Sequence, residues 1–144
     1  MNDGSERQDG DAPVMPDRLI EQDTLRTDGV RSSIEVRIPW YRALPASCIS
    51  GVELSVDGIE APQESIRWTM NGHEFRLDEL PERVDEWWYP ADSAVVTADL
   101  PVSGEGKHRI DVELKLFIPY IMTDQGVLEI HEHDSKEMEA ATNG

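Results

Sequence analysis

Apolar and polar residues alternate along several segments of the chain. The clearest alternation starts at Lys107, after which every second residue is apolar at Ile110, Val112, Leu114, Leu116 and Ile118. Successive side chains of a β-strand point to opposite faces, so this pattern predicts a strand with one face on a core and the other in solvent. Four shorter segments show the same pattern: SIEVRI (33–38), VELSV (52–56), IRWTM (66–70) and, more weakly, SAVVTADL (93–100).

Turn dipeptides separate these segments. Asp57-Gly58 and Asn71-Gly72 favour two-residue hairpin turns, because both central positions need positive φ and these residues tolerate it. Asn71-Gly72 predicts a hairpin between IRWTM and HEFRL, and Asp28-Gly29 predicts a turn before SIEVRI. No central segment shows an apolar stripe at helical spacing. Seven or eight short strands predict an all-β fold, an antiparallel β-sandwich or jelly roll, with a single-sheet roll as the alternative.

The charge distribution divides the chain into three parts. The formal net charge is −17, of which residues 1–17 carry −4 and residues 123–144 carry −5. The first 17 residues are rich in Asp, Gly and Pro and have too few apolar side chains to offset the entropy of ordering them. We therefore predict a disordered acidic N-terminal tail at 1–17, a β-sandwich domain at 18–122 and an acidic C-terminal tail at 123–144.

The acidic balance and the cysteine usage narrow the classes of function. A chain of this sign repels phosphate backbones, which disfavours binding to nucleic acids and to anionic membranes. A single cysteine, Cys48, cannot form an intramolecular disulfide. No apolar segment approaches the roughly 18 residues of a membrane span, and the first residues lack the pattern of a signal peptide. These features predict a cytoplasmic protein.

Candidate catalytic groups are sparse. His131 and His133 are two residues apart, so on a strand they would share a face and could supply two ligands of a metal site. No third or fourth ligand follows at a recognisable spacing, and a frayed polar tail accounts for the same residues. His73 and His108 are interpreted as surface or strand-end residues, and Cys48 as a small buried residue. With no nucleophile or phosphate-binding motif either, the sequence predicts no catalytic and no metal-binding residue.

Two proline-flanked segments between strands hold most of the large aromatic side chains: PWYRALP (39–45) and LPERVDEWWYPAD (80–92). Adjacent side chains on an extended segment point to opposite sides, so Trp87 and Trp88 cannot both face the core. We predict that one fills the end of the sandwich and that the other, with Tyr89, faces outward. Trp, Tyr and Arg are enriched at interface hot spots. The candidate partner-contact residues are Trp40, Tyr41, Arg42, Trp87, Trp88 and Tyr89.

The order of motifs in residues 18–122 resembles one known family. The segments IPWYRALPASCISGVELSVDG, IRWTMNGHEFRLDEL, DEWWYPAD and GKHRIDVELKLFIPYI follow one another as in the small beta subunit of bacterial C-glycoside deglycosidases. The distinctive set is a Y-R-x-L-P loop, a V-D-G turn, an N-G hairpin, a W-W doublet and a terminal I-P-Y-I. The two tails contribute nothing to the resemblance.

The resemblance implies a β-sandwich that assembles with a larger alpha subunit related to sugar-phosphate isomerases, as a heterodimer or higher heteromer. It implies cleavage of the carbon–carbon bond between a sugar and an aromatic aglycone such as a flavonoid, after a separate oxidase has formed a 3-ketone. The ketone acidifies the neighbouring position, so that a general base and a divalent metal, usually manganese, can drive elimination of the aglycone. The metal ligands and the base belong to the alpha subunit, so no catalytic residue is carried over to this chain.

Two other classes of function stay open at this point. A stand-alone carbohydrate-binding module would use Trp87 or Trp88 as a platform on which a sugar stacks. A small metal-dependent jelly-roll enzyme would use His131 and His133 as ligands.

Overall fold

The alternating segments form strands in the computed structural model, which describes residues 19–142. In chain order, the strands are β1 (Arg26–Thr27), β2 (Ser32–Arg37), β3 (Leu44–Pro45), β4 (Ile49–Val56), β5 (Ile59–Glu60), β6 (Arg67–Met70), β7 (His73–Arg76), β8 (Trp87–Trp88), β9 (Ser93–Ala98), β10 (Lys107–Thr123), β11 (Gly126–Glu139) and β12 (Ala141–Thr142). Short 3-10 helices lie at Ala46–Cys48, Gln63–Ser65 and Leu77–Glu82. Within the described residues, no helix is long and apolar enough to cross a membrane.

The strands are arranged in two sheets and a small ribbon. The larger sheet has the order β12-β1-β2-β9-β6-β7, the second has the order β11-β10-β4-β5, and β3 pairs with β8 alone. Neighbouring strands are antiparallel except β1 and β12, which run parallel. The predicted antiparallel all-β fold is therefore confirmed.

The core is built from the alternate side chains that the sequence pattern had marked as apolar. The burial of β2 alternates along its length, and so does that of β10 from His108 to Ile118. The buried side chains of both sheets belong to one cluster, which includes Ile34 and Val36 from β2 and Leu114 and Leu116 from β10. Burial of these side chains is the main stabilising contribution to such a fold.

The predicted turns are present, and two have the backbone that hairpin turns need. Asp57 and Gly58 have φ of 54° and 83° between β4 and β5, and Asn71 and Gly72 have φ of 55° and 79° between β6 and β7. Both central residues of each turn are thus left-handed, as the type I′ turn requires. Residues 28–31 connect β1 to β2, and Gly29 in this connection has φ of 93°.

Cys48 is the small buried residue that the sequence predicted. Its side chain is 6% exposed, and it forms no disulfide. Burial raises the pKa of the Cys48 thiol, so the reactive thiolate form is disfavoured.

The acidic C-terminal tail predicted at 123–144 is wrong for most of its length. Residues 126–139 form β11, which pairs with β10 from Lys107↔Glu139 to Thr123↔Gly126. The Asp134 carboxylate accepts hydrogen bonds from the Ile20 N–H at 2.9 Å and from Lys136 Nζ at 3.1 Å. Charged side chains on this strand are stabilised by local partners and by its position at a sheet edge. The disordered tail predicted at 1–17 lies outside the described residues.

A buried histidine joins the β4–β5 turn to the start of β10. His108 lies 2.6 Å from Asp57 through Nδ1 and 2.8 Å from the Ser103 carbonyl through Nε2. A carbonyl and an ionised carboxylate only accept hydrogen bonds, so the imidazolium form of His108, with a proton on each ring nitrogen, is the form that satisfies both contacts. The bond to Asp57 raises the pKa of His108, and the same bond lowers the pKa of Asp57.

We expect this pair to make stability depend on pH. The raised pKa of His108 means that its contribution is fully present below its unfolded value of about 6.5 and is lost as pH rises through the folded value. The contribution of Asp57 is present above its unfolded value and is lost as pH falls through its lowered pKa. Urea unfolding of wild type should therefore show a free energy of unfolding that falls as pH rises above neutral. The slope should correspond to the release of less than one proton when the protein unfolds. His108→Gln should lose this dependence and the exposed control His131→Gln should keep it; equal slopes would contradict the charged pair.

Candidate functional site

The two aromatic segments predicted from the sequence pair with each other. β3 and β8 form an antiparallel ribbon with the register Leu44↔Trp88 and Pro45↔Trp87. The Ala46 N–H also donates to the Glu86 carbonyl at 2.7 Å. The ribbon lies at the end of the sandwich where β2 stops and β9 starts, since Arg37 pairs with Ser93. Two segments more than 35 residues apart in the sequence therefore form one surface.

The tryptophan doublet is divided between core and surface, as predicted. Trp88 is 1% exposed and packs edge-on against Trp68, with ring centroids 5.0 Å apart and planes at 81°. Its indole N–H donates to the Asp92 carbonyl at 3.1 Å. Trp87 is 42% exposed and Tyr89 is 51% exposed. The inward ring is thus Trp88, and the outward pair is Trp87 and Tyr89.

The β6–β7 turn holds the backbone beneath Trp87 in place. The Asn71 side-chain amide donates to the Trp87 carbonyl at 3.0 Å and to the Glu86 carboxylate at 3.3 Å. His73 Nδ1 lies 2.9 Å from the other oxygen of Glu86. The hydrogen bonds from Asn71 and then from His73 lower the pKa of Glu86. An ionised Glu86 therefore links the turn to the outward ring.

A second aromatic cluster joins the 39–45 segment to the far end of β10. Trp40 is 1% exposed, and its indole N–H donates to the Tyr120 hydroxyl at 2.5 Å. The Tyr41 ring lies 5.2 Å from the Trp40 ring, and the Arg42 guanidinium lies 4.5 Å from the centre of the Tyr120 ring. Such a position over an aromatic ring is attractive for a cation. Tyr41 and Tyr120 are 47% and 44% exposed.

Tyr120 contributes a neutral hydroxyl to this cluster, next to the Arg42 cation. Burial raises the pKa of the Tyr120 phenol, the bond from Trp40 opposes this, and the Tyr41 hydroxyl adds to it. Tyr120 is therefore a protonated phenol at neutral pH, and its hydroxyl both accepts and donates hydrogen bonds.

The six predicted partner-contact residues play two different roles. Tyr41, Arg42, Trp87 and Tyr89 are exposed, whereas Trp40 and Trp88 are buried and support the surface from beneath. Tyr120 was not among the predicted contact residues. A signal for it existed, because the alternation of β10 ends in the unbroken apolar run LFIPYIM at 116–122.

The paired histidines do lie on one exposed face, as strand spacing predicts. Each has its own carboxylate: His131 lies 3.4 Å from Glu129, and His133 lies 3.1 Å from Asp111. No group of three or more His, Cys, Asp or Glu residues within 19–142 is placed to hold a metal ion.

Comparison with known proteins gives the same family as the motif order. A family model described as C-glycoside deglycosidase beta subunit matches residues 18–120. A C-glycoside deglycosidase beta subunit from Microbacterium trichothecenolyticum is 56% identical over 128 residues, covering 88% of this chain and 98% of that protein. One from Arthrobacter globiformis is 54% identical over 129 residues, with 89% and 98% covered. The 3'-dehydrocarminate deglycosidase beta subunit of a Microbacterium species is 35% identical over 123 residues, with 85% and 93% covered. The chain therefore belongs to the family of C-glycoside deglycosidase beta subunits.

Proposed function

We propose that this chain is the non-catalytic beta subunit of a metal-dependent lyase that cleaves the carbon–carbon bond of 3-oxo C-glycosides, such as oxidised C-glycosyl flavonoids. The observation that carries the proposal is the match over 98% of a C-glycoside deglycosidase beta subunit at 56% identity. The relative named for 3'-dehydrocarminate agrees with an oxidised sugar as the substrate class. The family name also implies an alpha subunit as partner.

In this proposal, the alpha subunit supplies the metal, manganese by resemblance, and the general base. A sugar-isomerase-like barrel is the expected fold of that partner, in a heterodimer or a higher heteromer. His131 and His133 have no metal role in it, and their contacts with separate carboxylates support this assignment. The cytoplasmic location expected from the sequence stays a prediction.

The part of this chain is to support and complete the alpha subunit through its aromatic end. Tyr41, Arg42, Trp87 and Tyr89 are the exposed residues of that end, and they are of the types that dominate interface energetics. Trp40 and Trp88 hold them in place from the core. The ribbon of β3 and β8 is rigid enough for this role, because it is fixed by backbone bonds, by Asn71 and by the buried Trp88.

Co-expression with the proposed alpha subunit tests the proposal. We expect the two chains to purify together, and the purified pair to release aglycone from a 3-oxo C-glycoside but not from the unoxidised C-glycoside. Failure of the two chains to form a complex would refute the subunit function.

A carbohydrate-binding module is the second candidate, because Trp87 and Tyr89 expose flat rings suited to stacking on a sugar. Titrating the isolated chain with soluble sugars while following tryptophan fluorescence separates the two functions. A subunit should respond to its protein partner and not to sugars. A saturable response to a sugar alone would favour the module.

A further inference from the structure

Along the β10–β11 hairpin, the sequence of β10 changes from alternating apolar and polar residues to a continuous apolar run. From His108 to Leu116, β10 alternates buried and less buried residues. Residues 116–122 then read LFIPYIM, which is apolar at every position. An unbroken apolar run is typical of a strand that is covered on both faces. Here Ile118 is buried, but Phe117, Tyr120 and Met122 are exposed.

This apolar part extends past the second sheet. The last pair between β10 and β4 is Leu116↔Ile49, whereas β10 continues to pair with β11 as far as Thr123↔Gly126. Four residues of β11, Gly126 to Glu129, lie beyond that point, which is about 13 Å at a rise of about 3.3 Å each. We call residues 117–129 the hairpin arm.

The exposed surface of the hairpin arm is mostly apolar and carries little charge. Phe117, Tyr120, Met122 and Val127 are 39%, 44%, 70% and 41% exposed. Asp124 and Glu129 are the two charged residues in 117–129, whereas 30% of the whole chain is charged. Depletion of charge around large apolar and aromatic side chains is the composition of an interface core. Contiguous exposed apolar surface of this kind marks interaction sites.

A bulge within the hairpin arm brings Tyr120 into contact with the 39–45 segment. The register passes from Ile118↔Leu128 to Met122↔Val127, so Pro119, Tyr120 and Ile121 have no partner on β11. Bulges of this kind re-aim side chains, and proline fits one because it has no N–H to donate. The Tyr120 hydroxyl accepts its bond from Trp40 here, beneath the Arg42 guanidinium.

The apolar surface continues from Phe117 into a groove. A groove of about 470 Å³ is bounded by Phe117, by Ile49 and Val52 of β4, and by Leu77 and Pro81 of the 3-10 helix, and Gln63 and Glu129 add polar groups to its lining. A side chain from a docked protein could fill it, as buried anchor residues do at hot spots.

Charge decides which protein covers this surface. Two copies of a chain with net charge −17 repel each other, which disfavours a homodimer. Arg42 is a cation that lies over the Tyr120 ring, and no carboxylate of residues 19–142 forms an ion pair with it. A different chain with an apolar patch and a carboxylate opposite Arg42 is complementary to this surface.

We propose that the hairpin arm, together with Tyr41 and Arg42, is the principal docking element for the alpha subunit, with Tyr120 as the fixed centre of the contact. This inference rests on the proposed function, since it takes the alpha subunit as the partner. It adds to the aromatic ribbon a set of residues that the sequence had not marked as partner contacts: Phe117, Tyr120, Met122 and Val127.

Calorimetric titration of the purified alpha subunit with variants of the full chain tests the inference. Met122→Asp and Val127→Asp place a charge in the proposed contact, and each should weaken binding at least roughly tenfold. Ile59→Asp is the matched control, because Ile59 is 64% exposed at the opposite edge of the same sheet; it should bind like wild type. Arg42→Glu should also weaken binding, and the loss should be larger at low salt than at high salt. Thermal unfolding must show unchanged folding of each variant.

The outcomes separate this inference from the proposed function. Wild type that binds the alpha subunit, with Met122→Asp and Val127→Asp binding equally well, would overturn the inference and leave the subunit function intact. Wild type that binds no alpha subunit would overturn both. A homodimer of the isolated chain that dissociates in Met122→Asp would assign the surface to a second copy and overturn the inference as well.

Discussion

Trp88→Ala is expected to lower the free energy of unfolding by about 3–5 kcal/mol, the cost of removing a large aromatic side chain from a core. Trp88 is 1% exposed, its ring packs edge-on against Trp68, and its N–H is satisfied by the Asp92 carbonyl. The substitution leaves a cavity between the ribbon and the larger sheet. Urea unfolding followed by circular dichroism measures the loss. Trp88→Phe keeps an aromatic ring in place and should lose less.

Trp87→Ala is the matched control for this result. Trp87 precedes Trp88 directly but is 42% exposed, so we expect its removal to cost about 1 kcal/mol of stability. Its larger effect should be on assembly, as weaker binding of the alpha subunit. Equal stability losses in the two variants, with no change in binding for Trp87→Ala, would refute the division between an inward and an outward ring.

Ending the chain after Gln125 is the second change with a large expected effect. It removes β11 and with it Met138, which is 2% exposed in the core. It also leaves β10 as a long apolar edge strand, and such edges promote aggregation. The lost strand pairing and burial should exceed the typical stability of about 5–15 kcal/mol for a whole domain. We therefore expect the shortened chain to be unfolded or insoluble, which circular dichroism and size-exclusion chromatography would show.

The double variant His131→Ala/His133→Ala separates the strand's structural role from any metal chemistry. Both side chains are more than half exposed and point to solvent from β11. The double variant should therefore keep the wild-type melting temperature to within a few degrees, and the complex should keep its activity. Loss of activity in a folded complex would instead favour the metal-dependent jelly-roll enzyme.

A chain that ends after Gln125 and still folds normally would contradict the importance of β11 for the stability of the fold.

The sequence predicted the interior strands well because their environment is uniform. β2, β4, β6, β9 and β10 each have one face on the core, so burial imposes an alternation of period two. Asp57-Gly58 and Asn71-Gly72 were informative because few other residues accept positive φ at both positions of a turn.

β11 was missed because three successive inward positions in its middle are charged, although Leu128, Ile130 and Met138 on the same face are apolar. Glu132, Asp134 and Lys136 lie opposite Leu114, Val112 and Ile110 of β10, on the face that is apolar in the neighbouring strand. β11 can hold these charges because it is at the sheet edge, and because the N–H of Ile20, from a distant part of the sequence, donates a hydrogen bond to Asp134. Burial raises the pKa of Glu132. Inward-pointing charges are a known protection of edge strands, and they erase the alternating pattern.

The candidate site was predictable in kind but not in detail. Neighbouring side chains of an extended segment point to opposite sides, and this was enough to predict that one ring of the doublet faces outward. The choice between Trp87 and Trp88 depends on the register Leu44↔Trp88, which joins segments distant in the sequence. The position of the Tyr120 ring depends on the bulge in β10 and on the hydrogen bond from Trp40. Neither the bulge nor this hydrogen bond has a signature in the local sequence.

The most direct test of the subunit function is the rate of aglycone release from a 3-oxo C-glycoside at a fixed concentration of alpha subunit and rising amounts of this chain. We expect no release by this chain alone and a rate that rises until the two subunits are stoichiometric. Release by this chain alone, or an equal rate from the alpha subunit without it, would contradict a non-catalytic subunit that completes its partner.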